Sequence, residues 1–176
     1  MAIVPLIPQP APGFDDPLGL LHACHRRIER QLASLARLRR HLPEHHADVD
    51  ARAAARAILR YFDGAAPHHH ADEEESLFPR LIAAAPEIAT VTNALQRDHR
   101  RLDAQWRKLR PLLAAIATGN GAHLPGKGVA AFCDAYTMHL QREEADLLPV
   151  AAELLDAASL RAIGEEMAQR RGSAPG

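Results

Sequence analysis

Residues 69–79 (HHADEEESLFP) and 139–149 (HLQREEADLLP) align without a gap and share five of eleven positions: the leading His, two adjacent Glu, a Leu and the closing Pro. Each copy sets a His four residues before a Glu, His69 with Glu73 and His139 with Glu143. On an α-helix, residues four apart stack on one face, so each pair can turn an imidazole nitrogen and a carboxylate oxygen toward one point. Glu143 continues the apolar seam of Val129, Phe132, Tyr136, His139 and Leu147. A buried carboxylate left unpaired is expensive, so a cation partner is the economical reading.

Three further segments show the three- and four-residue steps of bundle helices. Leu18, Leu21, His25, Ile28, Leu32, Leu35 and Leu42 define a first helix, opened by Asp15 or Asp16 with Pro17 at its first position and ended by Pro43. A second starts near Asp48 and runs through Ile58, Leu59 and Phe62 to Ala66, His69 and Glu73. Gly64 and Pro67 perturb it, as a kink or a short break, and Pro79 and Pro86 mark its end. After Pro86, Leu95, His99, Leu102, Trp106, Leu109 and Leu113 share a seam, with a kink expected at Pro111. Residues 118–128, rich in Gly, form a loop before the fourth helix, and residues 154–171 read as a short terminal helix through Leu160, Ile163 and Met167.

These signals predict an all-α chain: an up-and-down antiparallel four-helix bundle with a short C-terminal helix, occupying residues 15–172 behind a Pro-rich N-terminal arm, 1–14. Alternating helix direction puts His25, His69, His99 and His139 at one level, with Glu73 and Glu143 beside them. Four imidazoles and two carboxylates exceed the needs of one tetrahedral zinc. Mixed nitrogen and oxygen ligation suits non-haem iron or manganese, and two carboxylates able to bridge suit a pair of ions. Two iron ions (Fe2+/Fe3+) are the expected cofactor, with zinc or manganese as the other cations to test.

Composition removes several classes of partner. A formal charge of -1 over 176 residues gives no basic field for nucleic acid. No stretch approaches the apolar length of a membrane span, and residues 1–7 lack the charged start of a signal peptide. The expected location is cytoplasmic. Cys24 and Cys133 lie in apolar stretches and read as buried free thiols.

The chain resembles the hemerythrin-like proteins, the HHE cation-binding domain family of bacterial type. The likeness rests on His25, on His69 with Glu73, on His99, and on His139 with Glu143. The flanking runs H-H-x-D-E-E with L-F-P, and D-H-R-R-L-D around His99, add to it, over about residues 15–144. One departure stands out. Oxygen-carrying hemerythrins have a second His on the third helix, four residues from its partner, and here those positions are Leu95 and Asp103. The candidates to complete that set are Asp103, His70, His22 and His45, with His46 beside the last. His70 with Glu74 also offers the alternative register of the His69–Glu73 pair, about 100° round the helix.

The resemblance implies that the centre takes up O2 or a related small ligand (NO, peroxide) for sensing, storage or stress response. Its alternatives are an enzyme acting on peroxide or nitric oxide, an iron donor in iron-sulfur repair, or a structural zinc bundle. Tyr136, one turn before His139, is the candidate proton donor. Asp72, Glu75 and Glu144 read either as surface charge or as acceptors that orient ligating imidazoles. Any signalling would run through a separate protein partner.

Overall fold

The computed structural model describes residues 12–172, so residues 1–11 of the Pro-rich arm lie outside it. Four helical rods and a terminal cap make up the described chain. Helix α1 (Pro17–His45) is the first rod. Helices α2 (Val49–Arg60), α3 (Ala66–Ala71) and α4 (Phe78–Ala84) run end to end as the second. Helix α5 (Ala89–Thr118) is the third, and α6 (Gly126–Arg142) with α7 (Leu148–Leu154) the fourth. Helix α8 (Ala157–Arg170) closes one end.

Capping residues fix the starts. The Asp16 side chain accepts from the Gly19 amide ahead of Pro17, the Asp48 side chain from Ala51, and the Asp156 side chain from Ser159. Gly119, at φ 82°, ends α5 in the left-handed region that a residue without Cβ enters freely.

The prolines do less than the sequence suggests. Pro43 sits inside α1, which continues to His45, and Pro111 sits inside α5. Pro67, Pro79 and Pro149 do not break their rods either, because each follows a π-helical turn: Tyr61–Ala65, Asp72–Leu77 and Glu143–Leu147. A proline ring crowds the carbonyl four residues back and gives it no N–H. Widening the preceding turn relieves that crowding. The amides of Ala66, Phe78 and Leu148 reach five residues back, to the carbonyls of Tyr61, Glu73 and Glu143. The helix therefore passes through Pro79 and Pro149 where a terminus was expected at the first of them.

Helix α1 packs on α2 and α6, and α5 packs on the same two, which gives the square cross-section of a four-rod bundle. The core falls into two apolar clusters. One holds Ile28, Leu35, Leu42, Ala55, Ile58, Phe62, Leu102, Leu113 and Phe132. The other holds Leu21, Leu77, Phe78, Leu81, Leu95, Leu147, Ile163 and Met167. Helix α8 covers the second cluster, supplying Ile163 and Met167, and packs on α1 and on the Asp72–Leu77 turn. Gly164 is required there, since a Cβ would collide with the carbonyl oxygen of Phe14. Cys24 is buried and Cys133 half-buried, and both are free thiols. Among the described residues, no helix is long and apolar enough to cross a membrane.

Candidate metal centre

The two apolar clusters are separated by one polar layer. Along α1 the seam passes from Leu21 in one cluster through His25 to Ile28 in the other. The second rod passes from Ala66 through His69 and Glu73 to Leu77, α5 from Leu95 through His99 to Leu102, and the fourth rod from Tyr136 through His139 and Glu143 to Leu147. His25, His69, Glu73, His99, His139 and Glu143 are all buried, the most exposed being His99 at 4%. The structure brings together all six residues that the seams picked out.

Their arrangement has a definite order. Glu73 Oε1 lies 3.5 Å from His69 Nε2, and its Oε2 lies 3.3 Å from His99 Nε2. Glu143 Oε2 lies 3.2 Å from His25 Nε2, and its Oε1 lies 2.9 Å from His139 Nε2. Each carboxylate thus divides its two oxygens between two imidazole pairs. His25, His69, Glu73 and Glu143 form one compact donor set, and His99, His139, Glu73 and Glu143 form another, with the ligand atoms of each within 4.8 Å of one another. The two sets share both carboxylates.

The donor chemistry fits metal ions rather than a hydrogen-bonded core. Close as the atoms are, His25 Nε2, His69 Nε2 and all four oxygens of Glu73 and Glu143 lack a hydrogen-bond partner in the protein. Buried polar atoms are almost always hydrogen-bonded, and orphans clustered at one point mark a site for an ion. The short distances without hydrogen-bond alignment are those of atoms aimed at a common third atom.

Electrostatics at the layer agree. Burial strongly disfavours the charged form of His69, and its pKa falls to about 3, so the ring is neutral and ligand-competent. Burial likewise carries His70 well below its ordinary range. Burial opposes charge on His25 as well, but the carboxylates of Glu143, Glu73 and Glu144 outweigh it and raise the pKa to about 9. At His99 the contacts to Glu143, Glu73 and Glu74 overcome burial and raise it to about 11. Burial and the charge of Glu143 push Glu73 up to about 7. Burial resists ionisation of Glu143 too, but His139, His25 and His99 hold it well below the usual carboxylate range. A metal ion held by these residues would displace protons from His25 and His99, so its affinity is expected to rise with pH.

Outside the shared carboxylates, the second Glu of each repeat does a matching job. Glu144 Oε1 lies 3.1 Å from His25 Nδ1, and Glu74 Oε1 lies 2.6 Å from His99 Nδ1. A carboxylate on Nδ1 fixes the ring and leaves Nε2 as the donor atom. The sequence offered Glu144 for this role, but Glu74 only as the partner of His70 in an alternative register. The signal was available, because Glu73-Glu74 and Glu143-Glu144 occupy the same two positions of the repeat. Asp98, held 2.6 Å from Arg142, lies 3.9 Å from His139 Nδ1 and was also missed. Glu74→Gln is expected to weaken metal binding by about 10–100-fold, read by competition with a chromophoric chelator; unchanged affinity would remove Glu74 from this role.

Of the candidates to complete the set, His70 alone meets the layer's donor atoms from a new direction. Its ring stacks on His99 at 4.0 Å, and it forms a compact donor group with His99 and His139. Its Nε2 is 3.3 Å from the hydroxyl of buried Tyr136. His22 groups with His25 and Glu144, 3.6 Å from the Glu144 carboxylate, away from the two shared carboxylates. Asp103 is exposed on α5 and paired with Arg107, one turn on, so it does not supply the missing oxygen. His45 is exposed at the other end of α1. Helical geometry decides both cases, since neither residue lies on its rod's buried seam. Asp72, one of the residues left open between surface charge and imidazole acceptor, is instead buried and ion-paired to Arg170 and Arg171.

A sequence model of the hemerythrin HHE cation-binding domain matches residues 16–151. An uncharacterized protein of Haemophilus influenzae is 31% identical over 166 residues, which span 94% of this chain and 96% of that protein.

Proposed function

The chain belongs to the hemerythrin HHE cation-binding domain family, and from that membership and the geometry of the layer we propose that it holds a pair of non-haem iron ions. His25 and His69 would hold one ion and His99 and His139 the other, with Glu73 and Glu143 bridging. The observation that carries this reading is that both carboxylates divide their oxygens between the two imidazole pairs. A bound iron pair supplies reversible uptake of O2, nitric oxide or peroxide and the electrons for its reduction. Sensing or storing such a ligand is the function the geometry supports best, with manganese or zinc as the competing metals.

The protein's own part is to order and seclude the site. The apolar clusters on either side exclude water, and Glu74 and Glu144 fix the imidazoles. His70 stands beside His99 and His139, where it replaces the imidazole that oxygen carriers take from their third helix. A cavity of about 40 Å³ lies beside His70, lined also by Phe62, Ala66, Leu102, Asp103, Trp106 and Tyr136. That is room for a ligand of two or three atoms. The Tyr136 hydroxyl against His70 also gives a proton donor one residue from the donor set, which favours turnover of peroxide or nitric oxide as the second reading.

Metal content of the purified chain is expected to be two irons, with a visible band appearing when the anaerobically reduced protein meets air. Reversal of the band on deoxygenation would mark a carrier or sensor, and repeated consumption of peroxide or nitric oxide an enzyme. Zinc content with no spectral change after iron reconstitution would overturn the iron reading. His70→Ala is expected to leave one tight ion and weaken the other; loss of both, as in His69→Ala, would instead place His70 in the main register.

A further inference from the structure

A second group of ligand-type side chains lies at the opposite end of α1. His41 and His45 are one turn apart on its exposed final turns, and Asp48 follows at the start of α2. The separation between His25 and His41, sixteen residues, is about 24 Å along a helix, so this group shares no ligand with the buried layer. We propose that His41, His45 and Asp48 form a second, solvent-exposed site for a divalent transition-metal ion such as Zn2+.

Three observations carry the assignment. The ligand atoms of the three residues all lie within 4.8 Å of one another. The two imidazoles, four residues apart, stack with centroids 4.2 Å apart and planes 18° from parallel, so both present their nitrogens to the same side of the helix. Asp48 is held in two directions: Oδ1 accepts from the Ala51 amide at 2.8 Å as the cap of α2, while Oδ2 is hydrogen-bonded to His41 Nε2 at 2.9 Å, a contact that a metal ion would replace. A cap that needed only one acceptor would not require the second oxygen to meet an imidazole.

The connection between the helices is built to make this meeting. His46 adopts φ 54° and ψ -150°, a backbone conformation that L side chains rarely take. Through that bend the chain returns Asp48 to the face of α1 that carries His41. The Ala51 amide and His41 hold the Asp48 carboxyl below its usual range. Two imidazoles and a carboxylate, with no cysteine among them, suit Zn2+, Ni2+ or Cu2+ rather than Mg2+ or Ca2+. A cleft beside the turn, lined by His45, His46, Asp48 and residues 119–122, leaves the remaining coordination positions to solvent. Such a site is labile, unlike the buried one.

The test is a calorimetric titration of ZnCl2 into the full-length, metal-loaded protein, with the metal content of the buried centre measured before and after. One zinc per chain beyond that content is expected. Binding should weaken at least ten-fold in His41→Ala and in His45→Ala, with the buried metal retained, and stay unchanged in His123→Ala. His45 is exposed, so its alanine variant keeps the fold, which an unchanged Tm verifies. The proposal is overturned if no extra zinc binds, if zinc enters only as buried metal leaves, or if His41→Ala and His45→Ala bind it as the parent does. These outcomes leave the reading of the buried layer untouched, since that rests on different residues.

Discussion

Glu73→Ala is expected to reduce the protein to at most one tightly bound metal ion per chain while leaving its helix content nearly unchanged. Glu73 reaches His69 with one oxygen and His99 with the other, so its loss strips a ligand atom from both donor sets at once. The effect should exceed the about 10–100-fold expected for an outer partner such as Glu74, because a charged donor is removed instead of reoriented. Helix content survives because alanine is the best helix former and the apolar clusters on both sides are untouched. Metal analysis after dialysis, with far-UV circular dichroism, gives both numbers. Two retained ions would show that Glu73 bridges nothing. Glu73→Gln separates charge from shape, since it keeps one oxygen and should fall between the parent and the alanine variant.

The second large effect is predicted away from the metal centre. Asp72 is fully buried and lies one residue before Glu73, on the same π turn. Arg170 reaches it at 2.9 Å and Arg171 at 2.5 Å, and Arg170 also donates to Ser76 at 2.6 Å. Arg80, on the following turn, pairs with Glu166 at 2.7 Å. These bonds clasp α8 to the segment that carries Glu73. Replacing both Arg170 and Arg171 by alanine would leave the Asp72 carboxylate buried without a cation, which costs about 3–5 kcal/mol. For a chain of this size that corresponds to a fall in Tm of roughly 6–20 °C. Either single variant should lose much less, since the remaining guanidinium still holds Asp72. Thermal melts of the three variants decide it, and a double variant within about 0.5 kcal/mol of the parent would show that the clasp is only surface decoration. Metal affinity should also drop in the double variant, because Glu73 is positioned by the turn that loosens.

Much of this molecule could be read from the order of its residues. Four rods, their seams and their capping aspartates follow from apolar periodicity and local hydrogen bonding, which depend on neighbours only a few residues away. The six residues of the buried layer were legible for the same reason, because a His or Glu on an apolar seam must point inward. The repeat carried more than was first taken from it, since the matching second glutamates, Glu74 and Glu144, turned out to face His99 and His25.

What the sequence could not decide depended on which rod stands beside which, and at what height. Pro79 and Pro149 pass through continuous rods only because tertiary packing favours a widened turn over a helix end, a choice that propensity alone does not make. Asp72 found its arginines nearly a hundred residues away. His70 and Asp103 were both candidates by spacing, yet one stacks on His99 and the other pairs with Arg107 in solvent. The division of each buried carboxylate between two imidazole pairs was likewise beyond spacing. It requires four helices at one level, and only the folded bundle sets that level.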